Sequence, residues 1–202
     1  MKIVKPNVKL IHITTNAAQL IEVAGRICWK SEDKITKDSA GKFISRIVNK
    51  GHHSVLEHAT ATFHIITDRG ISHELVRHRL ASYSQSSTRY CNYSRNKFGK
   101  EITVIKPSNL SKNGEYIWKV AMKMSEIAYF LLLKSGAKPE TARSVLPTCL
   151  QTELIMTANF REWKHIIDLR TSKAAHPDIR IIANMIRDIL VKECPEVFDA
   201  TI

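Results

Sequence analysis

The chain has 202 residues, 44% of them hydrophobic, enough to bury the core of one domain and too many for a disordered or fibrous protein. Its 31 Lys and Arg against 19 Asp and Glu leave a formal charge of +12, which points to anionic partners: nucleic acid, an acidic membrane or phosphorylated small molecules. The four cysteines (Cys28, Cys91, Cys149, Cys194) include no C-x-x-C pair, which excludes zinc-ribbon and thioredoxin-like chemistry, and no apolar run reaches membrane-spanning length. With no leader-like start, the expected setting is the cytoplasm, with reduced thiols.

In chain order, a strand is expected around Leu10–Ile13. A helix follows through Ala17, Leu20, Ile21, Ala24, Ile27 and Cys28, with Asn16 as N-cap. A second helix carries Phe43, Ile44, Ile47 and Val48, and Gly51 stops it. Ala61, Phe63 and Ile65 alternate with Thr60, Thr62 and His64, the pattern of a strand with one wetter face. Asp68-Arg69-Gly70 then turns the chain into a central helix, with Ile71 and Leu75 on its apolar side. A short strand is expected at Ile102–Ile105. A long helix has Ile117, Val120, Ala121, Met124, Ile127, Ala128 and Leu131 on one face, its methionines as core filler. Pro139 opens a short helix containing Arg143, and Pro147 ends it. A strand over Leu150–Thr157 leads into the helix NFREWKHIIDLR. The last helix shows a stripe from Ile179 to Leu190, closed by Pro195. Strands and helices interleave without a βαβ rhythm, and G-x-G-x-x-G and P-loop patterns are missing, so the fold class is α+β in one domain spanning 1–202.

The most informative segment is RHRLASYSQSSTRY, Arg77–Tyr90. It reads as the last turn of the central helix, Arg77–Arg79, opening into a polar loop. Cations at a helix C-terminus have an ordinary explanation in the macrodipole, at roughly 0.3–1 kcal/mol each. Three arginines converging on a hydroxyl-rich loop go further. Planar forks with hydroxyls beside them are how phosphate is held, which favours anion or nucleotide binding over a solvated basic surface.

Arg77-His78-Arg79, seven further residues and then Ser87, with Ser82, Gln85, Arg89 and Tyr90 also in place, resembles the signature of the flavin-dependent thymidylate synthases. GHHSVLEH (Gly51–His58) is similar to that family's GHxSxxEH stretch, and H-x-x-x-x-E-H lacks the convergent geometry of a zinc site, so no metal is expected. ARSVLP, NFREWKHIIDLR and AAHPDIR resemble three more family segments in the same order. Many members carry His-Ala-Gln where this chain has Ala174-Ala175-His176. His176 offers a hydrogen-bonding ring in place of an amide.

The resemblance implies the family's α+β fold, a homotetramer with active sites where subunits meet, FAD as cofactor, and dUMP, methylenetetrahydrofolate and NADPH as partners. Carried over position by position, Ser54, Arg77, His78, Arg79, Gln85, Asn159, Arg161 and His165 would bind flavin, with His52 and Glu57 in support. Glu74, Arg77, Gln85, Ser86, Ser87, Thr88, Arg89, Arg143 and Arg170 would bind dUMP, Arg143 at the phosphate and Arg170 at the uracil. Arg170 is the expected catalytic residue, because a guanidinium that keeps its proton suits an ionised uracil. Ser87 reads as a ligand, since an activated serine needs a base with its own orienting group. From the residues alone, Asn159 is an N-cap and Arg170 a helix-end cation. The competing class is a nucleic-acid module with Arg77, Arg79 and Arg89 on phosphates and Tyr83 and Tyr90 stacking on bases. The family reading calls for neither nucleic acid nor membrane.

Overall fold

The computed structural model describes residues 1–199. Strands β1 (Lys2–Val4), β2 (Asn7–Ile13), β3 (Thr60–Asp68), β4 (Ala81–Gln85), β5 (Thr103–Ile105) and β6 (Gln151–Asn159) alternate irregularly with helices. These are α1 (Ala17–Ile27), α2 (Ser39–Asn49), α3 (Arg69–Leu75), α4 (Lys112–Lys134), α5 (Pro139–Ala142), α6 (Phe160–Thr171), α7 (Pro177–Glu193) and α8 (Pro195–Phe198). The expected mixture of helix and sheet is present. One sheet has strand order β2-β3-β6-β4, and β1 lies parallel to β5.

The chain divides into two compact units. The first comprises Met1–Asn7, Ile65–Arg77 and Ser84–Leu154. Its core gathers Ile102, Val104, Tyr129, Ala142 and Leu150, all fully buried. The β1 strand registers Ile3 against Val104, and Val104 in turn bridges to Leu150. Asp68 begins α3 as a true N-cap, its carboxylate accepting from the Ile71 N–H at 2.8 Å, so Asp68-Arg69-Gly70 is the helix start and not a separate turn.

Helix α4 corrects the sequence reading. The apolar stripe, whose methionines are expected as core filler, faces outward, with Ile117 67%, Met124 60% and Leu131 60% exposed. The inward face is carried by Tyr129 with Trp118, Met122 and Phe130 against the core. Met122 is filler as expected; Met124 is not.

The second unit comprises Val8–His64, His78–Tyr83 and residues 155–199. Its centre is Trp163, which packs edge-on to Phe63 at 5.0 Å and donates from its indole to the Ala61 carbonyl at 3.0 Å. Truncating such a buried aromatic costs about 3–5 kcal/mol. The alternation read in β3 holds, with Ala61, Phe63 and Ile65 fully buried and Thr62 bonded to Thr157 of β6 at 2.9 Å. Helix α1 meets α2 closely. A Cβ on Gly25 would lie 2.6 Å from the Phe43 ring, and buried Glu22 accepts from Ser39 at 2.8 Å and Arg26 at 2.9 Å. Asn16 precedes α1 but sits in the left-handed region (φ 52°) and makes no side-chain cap, unlike the expectation.

Two further corrections concern the signature segment. Helix α3 ends at Leu75, so Arg77–Arg79 lie beyond it. The first half of the expected polar loop is β4, at the edge of the four-stranded sheet.

Candidate active site

In the second unit, α6 is set by its cap: the Asn159 side chain accepts from the Glu162 N–H at 2.8 Å. This fixes the faces of the helix. Arg161 and His165, four residues apart, line one cleft of about 600 Å³ with Asn159, Lys164, Glu57 and Leu80. Arg161 is paired with Glu57 at 2.6 Å, both side chains about half exposed. Leu80 is 74% exposed and offers the cleft an apolar surface. Ser54 and His52 are exposed in the segment that carries Glu57, and Arg79 is exposed beside Leu80 in sequence.

His78 is 5% exposed. Its Nε2 accepts from the Arg170 Nε–H at 3.0 Å, and its Nδ1 lies 3.6 Å from a carboxylate oxygen of Glu162. The His165 ring stands edge-on at 5.9 Å. Burial, and then the charges of Arg170 and His165, hold the His78 pKa down at about 4. Burial raises the Glu162 carboxyl, with His165 opposing it. Tyr83 donates to the His78 carbonyl at 2.8 Å, and burial, helped by Glu162, pushes its phenol up to about 12.

In the first unit, the signature continues as a hydroxyl-lined ledge. Gln85 donates to Ser72 at 2.9 Å and to Thr152 at 3.0 Å, and Ser86 meets the same Thr152 hydroxyl at 3.0 Å. Arg69 donates to the Ser86 carbonyl at 3.3 Å. Ser87 closes a turn: its carbonyl accepts from Tyr90 and Cys91, and its hydroxyl from the Arg89 N–H at 3.3 Å. Arg89 lies over the Tyr90 ring at 5.2 Å. Thr88 is buried and accepts from Arg143 at 3.3 Å; both line a cleft of about 540 Å³ with Arg69 and His73. Arg143 itself sits on a 3-10 turn after α5. Glu74 is half-buried on α3, and Arg77 is exposed just past it.

Two separately legible sequence patches, signature and ARSVLP, thus join at Thr88 and Arg143. A family model described as thymidylate synthase complementing protein matches residues 9–196. The chain belongs to this family. It is 33% identical over 200 residues to the flavin-dependent thymidylate synthase of Geobacter sulfurreducens, covering 95% of this chain and 84% of that one. With the flavin-dependent thymidylate synthase of Pyrococcus abyssi the identity is 36% over 196 residues, covering 92% and 80%. The fold is similar to that of a UMP/dUMP methylase, PolB from Streptomyces cacaoi, solved with 5-Br dUMP, at a TM-score of 0.84 and 22% identity, covering 99% and 96%.

Within the family, several assignments gain detail. His176 is the N-cap of α7, its Nδ1 accepting from the Asp178 N–H at 3.2 Å, so the ring holds a helix start. The buried Arg180 Nε lacks a hydrogen-bond partner. Glu162 and Thr152 were not singled out from the sequence. Glu162 is three residues from His165, and that i,i+3 spacing was the available signal. Among the described residues no group of three His, Cys, Asp or Glu side chains is placed to hold a metal ion, and no helix is long and apolar enough to cross a membrane.

Proposed function

We propose that this protein is a flavin-dependent thymidylate synthase that methylates dUMP to dTMP, with methylenetetrahydrofolate as carbon donor and NADPH as reductant. The observation that carries this reading is the Arg143–Thr88 contact at 3.3 Å, which joins the two patches expected to hold the nucleotide phosphate. Relatedness to the named synthases over 92–95% of this chain supports the same reaction.

The residues present fit a flavin. The cleft on α6 sets Arg161 and Lys164 beside the carboxylates of Glu57, Glu162 and Asp168, with an amide, imidazoles and the exposed Leu80 side chain; a phosphate would compete with Glu57 for Arg161, and a ring system would lie on Leu80. Asn159, Arg161 and His165 would hold it there, with Ser54, Arg77, Arg79 and Gln85 as further proposed contacts and Glu57 orienting Arg161. Ala174 removes one donor that many relatives have. When bound, FAD supplies the hydride.

The chain's own residues do the rest. Arg143, Thr88, Ser87 and Arg89 anchor the nucleotide, with Glu74, Arg77, Gln85 and Ser86 beside them. Arg170 carries a charge it cannot lose and stabilises uracil as it becomes electron-rich for attack on the carbon donor. Ser87 serves as a ligand: its hydroxyl is the acceptor of a turn. We further propose that residues 1–202 act as one synthase domain and assemble as a homotetramer with active sites shared between subunits; the outward apolar stripe of α4 supports such an assembly.

The nucleic-acid alternative loses one of its two stacking aromatics. Tyr83 is half-buried with its hydroxyl bonded to His78, while Tyr90 stays 74% exposed with Arg89 over one face at 5.2 Å. The test is direct. Purified protein should be yellow, and with dUMP, methylenetetrahydrofolate and NADPH it should form dTMP. A colourless protein that takes up no added flavin, yet binds oligonucleotides with a steep salt dependence, overturns the proposal.

A further inference from the structure

The family resemblance puts the signature histidine, His78, in the cofactor set. Its contacts say something else. The Arg170 guanidinium has only donors, so the Nε2 of His78, 3.0 Å from Arg170 Nε, must be the acceptor. An imidazole accepting at Nε2 is neutral and carries its proton on Nδ1, the side that Glu162 faces at 3.6 Å. The ring has little freedom to do otherwise. It is 5% exposed, its backbone carbonyl is tied to Tyr83, and His165 stands at its edge. Neutrality is independently favoured, because burial and the neighbouring cations keep its pKa near 4.

We infer that His78 is a positioning residue for Arg170, holding its Nε–H so that the guanidinium's other nitrogens present a fixed face to the substrate ring, with Glu162 selecting the tautomer that allows it. The inference rests on the proposed thymidylate synthase reading, in which Arg170 meets the uracil. It assigns to His78 a task toward dUMP rather than toward flavin. A long arginine side chain loses rotamer freedom when held, and pre-setting it before substrate arrives removes that cost from binding and from the transition state. The groups facing His78 are Arg170, Glu162 and His165 of α6 and Tyr83 of β4; of these, Arg170 alone makes a hydrogen bond that requires the ring to be neutral.

The experiment compares His78→Phe, which keeps a ring without an acceptor, with His78→Gln, which restores an acceptor oxygen near the Nε2 position. In His78→Phe, methyl transfer should fall at least about tenfold while bound flavin and its reduction by NADPH persist, and His78→Gln should recover part of the loss. On an Arg170→Ala background, His78→Phe should add little, since the two act as a unit. Independently of turnover, NMR of wild-type protein carrying isotope-labelled histidine should show His78 as the Nδ1–H tautomer, neutral at pH 6.5. If wild-type protein makes dTMP and His78→Phe is equally fast, or loses flavin in proportion to activity, the inference fails while the proposed function stands. A charged His78 or an Nε2–H tautomer also overturns it, even where His78→Phe does not fold. Wild-type protein that neither holds flavin nor makes dTMP removes the proposed function and this inference together.

Discussion

Arg161 and Glu57 form an ion pair at 2.6 Å, with about half of each side chain open to solvent. An exposed pair contributes about 0–1 kcal/mol to stability, so its geometry matters more than its energy. It holds a guanidinium at the mouth of the α6 cleft without burying it. The pair is weak enough for an incoming phosphate to compete for the same donors.

Arg161→Ala should therefore leave thermal stability nearly unchanged and weaken flavin binding. Loss of a charge-assisted contact costs about 1.5–3 kcal/mol, or roughly ten- to a hundredfold in affinity. Flavin titrated into apoprotein measures the second effect and a melting curve the first. Unchanged affinity would make Arg161 a surface partner of Glu57 and nothing more.

His78 gives the pH dependence of stability a definite sign. Its folded pKa is near 4 against an ordinary 6.5, so between those values the unfolded chain binds more protons. This contribution is complete above pH 6.5, declines as pH falls and is gone below about 4, on the order of 3 kcal/mol in all. Glu162, with its carboxyl raised, works in the opposite sense, losing stability as pH rises. The difference between wild type and His78→Gln therefore isolates the histidine. As pH falls through this window, the wild-type denaturant midpoint should drop relative to that of His78→Gln. Midpoints that stay parallel would mean His78 does not titrate as its burial implies.

Much of this was legible in the sequence, for local reasons. The β3 alternation and the Arg161–His165 face follow from periods of two and 3.6 residues, and the Asn159 cap from an amide side chain at a helix start. What was not legible is non-local. The Arg170–His78 bond spans 92 positions and the Arg143–Thr88 bond 55, and spacing carries no information about either. β4 was read as loop because Ser82–Gln85 has no apolar alternation; it becomes a strand through its place beside β6. The α4 stripe was real, but periodicity cannot say whether a neighbouring element or another molecule covers it.

That stripe yields a prediction about assembly. Met124 and Leu131 are each 60% exposed in the single chain, and burying a large apolar side chain is worth about 1.5–3 kcal/mol. In the proposed tetramer a second copy covers this face. Met124→Glu should shift the light-scattering mass downward and release flavin along with it. A single 23.0 kDa chain that keeps its flavin and still turns over would end the shared-site proposal.

The final prediction separates this chemistry from that of a thymidylate synthase that attacks uracil with a thiolate. Cys91 is the cysteine nearest the signature, two residues past Arg89. It is half-buried, its N–H donates to the Ser87 carbonyl at 2.9 Å, and it lines a cleft of about 310 Å³ with Lys97, Tyr93 and Ser86. A thiol facing a cleft beside the signature invites a nucleophilic role. The proposed mechanism gives it none, because Arg170 stabilises the ionised uracil and no covalent adduct to the protein is needed. The outcomes are therefore asymmetric. Cys91→Ala should keep turnover within about tenfold, roughly 1.4 kcal/mol in barrier, while Arg170→Ala should lose at least about a hundredfold, roughly 2.7 kcal/mol, with NADPH still bleaching the flavin. Mass spectrometry of protein trapped with dUMP during turnover completes the comparison. A covalent nucleotide on Cys91, together with abolished dTMP formation in Cys91→Ala, would transfer the chemistry from the guanidinium to the thiol.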